Sequence, residues 1–211
     1  GLTTTGSTVL SGLEDLPKGL LLWRGILQWL GGIGIIVVAM VFLPELRVGG
    51  MQIFRTEAFD TFGKILPRAT EIASRISVIY LALTLICALA YIGAGMDAFD
   101  ATVHAMTTIA TGGFANYDAS FAAFGPAASY VACIFMILAA LPFVRFVQLS
   151  AGTARPLIHD TQIHVFLATA FGVVSLIALA NVIRTEDVTE PAFRTALFNS
   201  VSLMTGTGYA N

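Results

Sequence analysis

Three short stretches of the chain place threonine and glycine in matching order: Thr3-Thr4-Thr5-Gly6-Ser7, Ala110-Thr111-Gly112-Gly113-Phe114 and Thr205-Gly206-Thr207-Gly208-Tyr209. The second and third continue alike, as Ala115-Asn116 and Ala210-Asn211. The chemistry such stretches offer is that of the main chain. Glycine reaches backbone conformations closed to other residues, so successive carbonyls can face one axis and replace the water shell of a cation. Gly6, Gly113 and Gly208 recur 107 and 95 residues apart, which predicts a repeated unit. One such stretch alone would be explained by close helix packing. Three copies in the same context predict a cation selectivity filter.

That context is apolar. Of the 211 residues 56% are hydrophobic and only 11% charged, with a mean hydropathy of +0.83; soluble domains carry roughly 25% charge. The net charge of −2 gives no reason to expect a nucleic-acid partner. Cys87 and Cys133 sit inside apolar runs and read as small buried hydrophobes. The chain opens at Gly1-Leu2 beside the first stretch and stops at Asn211 beside the third, so a piece of a longer polypeptide is expected.

Four segments are long enough to cross a bilayer, which takes about 20 residues: roughly Ile26–Leu43, Ile76–Ala94, Ala127–Val147 and Val165–Ile183. Two shorter apolar segments, Ala98–Ala110 and Ala192–Met204, each precede a Thr/Gly stretch. At about 13 residues they predict re-entrant half-helices. Irregular backbone after them is tolerable at membrane depth only where it is buried in protein or lines water. The fold class is thus all-α, a polytopic membrane protein of span–half-helix–span repeats. It divides into the end of a first repeat (1–50), a complete second repeat with its connection (51–150) and the start of a third (151–211).

Charge sets the orientation. The connection from Pro44 to Arg75 carries Arg47, Arg55, Lys64, Arg68 and Arg75, and Arg145 and Arg155 flank the next one. Asp97, Asp100 and Asp118 have no basic residue among them, Glu14 and Asp15 have only Lys18 nearby, and Glu186, Asp187 and Glu190 face Arg184 and Arg194. The positive-inside rule puts the basic connections in the cytoplasm and all three Thr/Gly loops outside. A helix carries about half a negative charge at its C-terminus, so half-helices ending at these loops would favour a dehydrated cation.

The remaining polar residues read more plainly. Gly31, Gly32 and Gly34 are helix-packing positions, Gln28 bonds across helices, and His104 packs. Asp97 and Asp100 cap the half-helix, and Arg145 snorkels. His159 and His164 lack a metal-ligand partner at helical spacing. There is no His-Glu-x-x-His, no Gly-x-Ser-x-Gly, no zinc-spaced Cys/His cluster and no carboxylate pair within a span, so an enzyme is not expected.

With these residues in view, the sequence resembles the Trk/Ktr/HKT superfamily of potassium transporters, and within it the bacterial TrkH/TrkG membrane subunits. The resemblance is carried by Gly1-Leu2-Thr3-Thr4-Thr5-Gly6-Ser7-Thr8, Leu27-Gln28-Trp29-Leu30-Gly31-Gly32-Ile33-Gly34-Ile35-Ile36, Val48-Gly49-Gly50-Met51-Gln52, Gly95-Met96-Asp97-Ala98-Phe99-Asp100 and Gly113-Phe114. It implies a pore of four repeats around a pseudo-fourfold axis, of which this chain holds a part. Potassium would lie at the backbone carbonyls of Gly6, Gly113 and Gly208. The neighbouring carbonyl bearers would be Thr3, Thr4 and Thr5; Ala110, Thr111 and Gly112; and Thr205, Gly206 and Thr207. Glycine at Gly6 resembles the potassium-preferring members. The resemblance further implies a multi-pass protein of the bacterial inner membrane in contact with lipid, a homodimer, and a cytoplasmic nucleotide-binding regulatory subunit. No cofactor is implied; potassium is the transported ion. A fourth filter, the gating loop of the third repeat and a basic gating residue have no counterpart here, so function belongs to the parent protein. Two other readings stand beside this one: a sodium-coupled or weakly selective monovalent cation permease, and a non-conducting membrane scaffold.

Overall fold

The computed structural model describes residues 1–42, 69–185 and 189–211. Every regular element among them is helical: α1 (Lys18–Phe42), α2 (Ala69–Gly93), α3 (Ala98–Ile109), α4 (Pro126–Ala140), α5 (Phe143–Ser150), α6 (Arg155–Ile158), α7 (Thr161–Thr185) and α8 (Glu190–Met204), with single 3-10 turns at Leu13–Asp15 and Ser120–Ala123. Most of the expected basic connection, including Arg47, Arg55, Lys64, Arg68 and the Val48–Gln52 motif, lies outside the described residues, as do Glu186 and Asp187.

Helix α2 shows what kind of surface these helices have. Ile76, Tyr80, Thr84, Cys87 and Tyr91 follow one another at helical spacing and are buried. Val78, Leu81, Leu85, Leu89 and Ile92 form a stripe that is equally apolar and exposed. A helix apolar all round belongs in a membrane or a large core. The stretches Ala73–Gly93 and Thr161–Arg184 are both long and apolar enough to cross one.

The segment expected to be one span from Ala127 to Val147 is instead two helices, α4 and α5, meeting at 88°. Pro142 is the cause. It forces Leu141 out of helical conformation, to φ −75° and ψ 150°, and has no N–H to continue the ladder. Hydropathy averaged over the segment does not register that break.

The half-helices are delimited by their own sequences. Asp97 caps α3, its Oδ2 accepting the Phe99 N–H at 3.1 Å, whereas α4 and α8 open with a proline in the first turn, where no N–H is required. Each half-helix packs on two spans: α3 against α2 and α1, and α8 against α7 and α4. The span before a half-helix and the last span of the preceding unit thus hold it in the same way twice. Tyr80 donates to the Trp29 carbonyl, Trp29 Nε1 donates to Thr84 Oγ1, and the Tyr91 and Thr108 hydroxyls are 2.8 Å apart, so the α1–α2–α3 contact is polar as well as apolar. Phe121, from the turn after the second loop, stands at the centre of the core between His104, Phe198 and Tyr209, with ring centroids 4.6–5.4 Å away.

Candidate functional site

The second and third Thr/Gly loops begin as the C-caps of α3 and α8. After α8, the Gly206 N–H reaches the Leu203 carbonyl and the Thr207 N–H the Ser202 carbonyl; after α3, Thr111 reaches Thr108 and Gly112 reaches Thr107. This is the Schellman pattern, which turns the chain through one left-handed residue. That residue is Gly206 (φ 74°) in the third loop and Thr111 (φ 47°) in the second. The first loop matches with Thr4 at φ 52° and its N–H on the Gly1 carbonyl. Two residues further on, Gly6, Gly113 and Gly208 are left-handed again, at 73°, 73° and 83°, while Thr5, Gly112 and Thr207 between them are not. All three loops therefore share one alternation of backbone handedness. A β-branched residue at positive φ is strained, by about 1–3 kcal/mol, and such strain concentrates at functional sites.

The loops, far apart in sequence, meet. A Cβ at Gly6 would run into the Gly112 carbonyl oxygen and lie 3.8 Å from that of Thr207; a Cβ at Gly113 would run into the Thr207 carbonyl oxygen. Gly6 and Gly113 are thus needed for close approach and for dihedral freedom together. At Gly208 nothing among the described residues lies within 4 Å of that position.

Side chains hold this backbone by two means. Thr3 and Thr5 join hydroxyls across Thr4 at 2.8 Å, and Thr205 and Thr207 do the same across Gly206. The second loop has Ala110 and Gly112 at those places, and there Gln28 of α1 donates from Nε2 to the Gly112 carbonyl and accepts the Phe114 N–H at 3.0 Å. One helical turn earlier, Arg24 stacks over the Phe114 ring at 4.5 Å and donates to Thr8 Oγ1.

The segments leaving the loops are tied back to the half-helices. Asn116 gives its N–H to His104 Nε2 (3.4 Å), and Asn211 gives its own to Asn199 Oδ1 (3.0 Å). Since His104 Nδ1 faces the Asp100 carbonyl at 2.8 Å, Nδ1 carries the proton and Nε2 accepts: the imidazole is neutral. Tyr209 from the third loop reaches into the second half-helix, its hydroxyl on Thr107 and on the His104 carbonyl. Asp100 accepts from Asn116 Nδ2 and from the Tyr117 hydroxyl, both at 2.8 Å, and that bond raises the Tyr117 phenol to about 12. Asp118 accepts the Gly12 and Leu13 N–H groups, joining the segments after the first and second loops.

Several expectations change. Asp97 caps α3 but Asp100 does not; it holds Asn116 and Tyr117. Arg145 has defined partners: its Nε donates to Asp160 Oδ2 at 2.6 Å and its NH1 to Gln148. Burial alone would raise the Asp160 carboxyl, but the Arg145 bond and the Gln162 N–H outweigh it and hold the group below its ordinary value. Gln28 bonds, but to a loop. Gly31 and Gly32 are packing positions, facing the Leu2 backbone and Tyr80 with Ala110; Gly34 has no neighbour within 4 Å of a Cβ among the described residues. Cys87 and Cys133 are buried thiols, and His104 packs edge-on against Phe121 and Phe124. Arg24 was not singled out from the sequence, and Asn116 and Tyr209 stood in the repeated stretches with no role given to their side chains. The repeated aromatic after Gly113 and Gly208 was the one available signal for Tyr209.

Membrane-length helices alternating with half-helices whose capping loops converge define a polytopic membrane protein of repeated span and half-helix units. A family model described as a cation transport protein, TrkH, matches residues 1–211. The chain belongs to this family, and is a multi-pass protein of the inner membrane. It is similar to the Trk system potassium uptake protein TrkI of Halomonas elongata, 46% identical over 215 residues that make up 100% of this chain and 43% of that protein. Similarity to TrkH of Escherichia coli K12 is 40% over 216 residues, 99% of this chain and 44% of that one. The crystal structure of the potassium transporter TrkH from Vibrio parahaemolyticus superposes with a TM-score of 0.85 at 36% identity, covering 99% of this chain and 43% of that chain. The chain therefore spans less than half the length of the relatives it matches.

Proposed function

We propose that this chain contributes three of the filter loops of a potassium-translocating pore. The observation that carries the reading is the shared alternation of handedness in three loops that meet. Alternating handedness turns successive peptide units to one side, so carbonyls of Thr3 to Gly6, Ala110 to Gly113 and Thr205 to Gly208 can together replace the water of a dehydrated cation. The C-terminal ends of α3 and α8 add negative potential at the same place. The names of the relatives, which are potassium uptake proteins, support potassium as the ion. No residue in the site is assigned a catalytic role.

On this reading residues 1–50, 51–150 and 151–211 belong to three successive repeats, with a fourth loop at the open position beside Gly208. The loops face outside and the Arg145–Asp160 pair faces the cytoplasm. A homodimer and a nucleotide-binding regulatory subunit complete the assembly. Flux through the full-length protein carrying this sequence, reconstituted in liposomes, tests the reading. Potassium-selective uptake supports it, equal sodium and potassium uptake favours the weakly selective permease, and no flux favours a scaffold.

A further inference from the structure

Loops one and three share a feature that loop two lacks. In each, hydroxyls flank the left-handed residue and bridge it: Thr3 to Thr5 and Thr205 to Thr207, both at 2.8 Å. Loop two has no side-chain donor at either place, only Ala110 and Gly112, and yet its backbone follows the same course. We propose that Gln28 is the positioning residue of the second filter loop, an external brace that stands in for the missing threonine bridge; this rests on the filter reading.

Three observations converge on it. Gln28 is fully buried, and its amide uses both ends on this one loop, donating to the Gly112 carbonyl and accepting the Phe114 N–H on either side of Gly113. An amide so placed fixes both peptide units of the glycine. A carbonyl oxygen has two lone pairs, so the Gly112 oxygen can take the Gln28 bond and still face an ion.

Next, the brace and the missing hydroxyl are mutually exclusive. A Cβ at Gly112 would fall 2.5 Å from Gln28 Oε1 and 2.8 Å from its Nε2. Threonine at 112 and glutamine at 28 cannot coexist in this geometry.

Finally, the next span shows the converse. Gln28 stands eleven residues after Pro17, and eleven residues after Pro126, on α4, stands Ile137. Helix α4 carries no amide side chain at that place, and the loop that follows α8, the half-helix α4 packs on, has its own bridge between Thr205 and Thr207.

The test uses the full-length protein carrying this sequence, in proteoliposomes, with rubidium uptake competed by potassium and by sodium. The ratio of the two competition constants reads ion discrimination, which packing alone would not move; membrane protein level is measured in parallel. Gln28→Met keeps the volume and loses both bonds, and should lower discrimination about tenfold, whereas Gln28→Glu keeps the acceptor for Phe114 and should lower it about threefold. Gly113→Ser serves as the filter control. If Gln28→Met and Gln28→Glu discriminate as the wild type does while Gly113→Ser fails to, the glutamine only packs and the proposal is overturned. If Gln28→Met does not reach the membrane, Gln28→Glu decides alone by the same criterion. If Gly113→Ser also discriminates normally, the filter reading falls, and the brace with it.

Discussion

The second and third half-helix units have the same backbone and few of the same side chains. Both helices end in a Schellman turn, both loops are left-handed at the first and third residues after the C-cap, and both return an asparagine to the helix. Yet the left-handed cap residue is Thr111 in one and Gly206 in the other, and the acceptor of the asparagine N–H is His104 in one and Asn199 in the other. What is held constant is the course of the main chain and the pairing of each buried polar group. Among the described residues no buried side-chain nitrogen or oxygen lacks a partner. The residue supplying that partner is free to vary.

The comparison is broken most severely by substituting the glycines that differ in surroundings. Gly113→Ser meets both a left-handed backbone and the Thr207 carbonyl, and on the proposed filter reading should reduce potassium-over-sodium discrimination by about a hundredfold or more, because it would displace the carbonyls proposed to replace hydration. Gly206→Ala meets strain with no neighbour within 4 Å among the described residues and should cost about 1 kcal/mol of stability. Competed rubidium uptake and thermal unfolding in detergent, run on both variants, separate close approach from strain. Equal effects on discrimination would show that strain alone matters.

A change outside the loops should act differently. A Cβ at Gly32 would lie 2.7 Å from the Tyr80 hydroxyl and 3.0 Å from Ala110. Gly32→Ser should therefore lower the amount of folded protein in the membrane, at a cost of about 1–3 kcal/mol for overpacking, and change the ion preference of the surviving protein far less than Gly113→Ser does.

The His104/Asn199 equivalence is sharpened by exchange. His104→Leu strands the Asn116 N–H and should destabilise by about 1–3 kcal/mol. His104→Asn supplies the acceptor that Asn199 supplies in the other unit, and its unfolding midpoint should lie between that of His104→Leu and wild type.

The smallest effect is expected at the Arg145–Asp160 pair, far from the loops. Because the folded carboxyl is held below its usual value, its contribution is present at neutral pH and is lost as pH falls through the ordinary carboxylate range and below. Asp160→Asn should remove that acid-side dependence and shift stability at neutral pH by about 1 kcal/mol or less. An unchanged pH profile of unfolding would contradict this.

Much of this was legible in the sequence because it is written in local terms. The ends of α3 and α8 follow from their length, their flanking acids or proline and the Thr/Gly run, and the repeated spacing of Gly6, Gly113 and Gly208 brought out the three loops. What was not legible depends on which parts of the chain meet. Nothing near Asp100 in sequence says that Asn116 and Tyr117 will return to it, and nothing near Gln28 points to Gly112 rather than to a neighbouring helix. The turn at Pro142 was hidden by an apolar average. Threonine at a left-handed cap runs against the preference for glycine, so Thr4 and Thr111 gave no local sign of their conformation.

The contacts between loops have a direction. Gly6 abuts the carbonyl before the next loop's glycine, and Gly113 does the same to the loop after it. Such head-to-tail relations have a rotational sense, as heterologous interfaces between subunits do. A Cβ at either glycine therefore meets first a carbonyl of the loop that follows it in the chain.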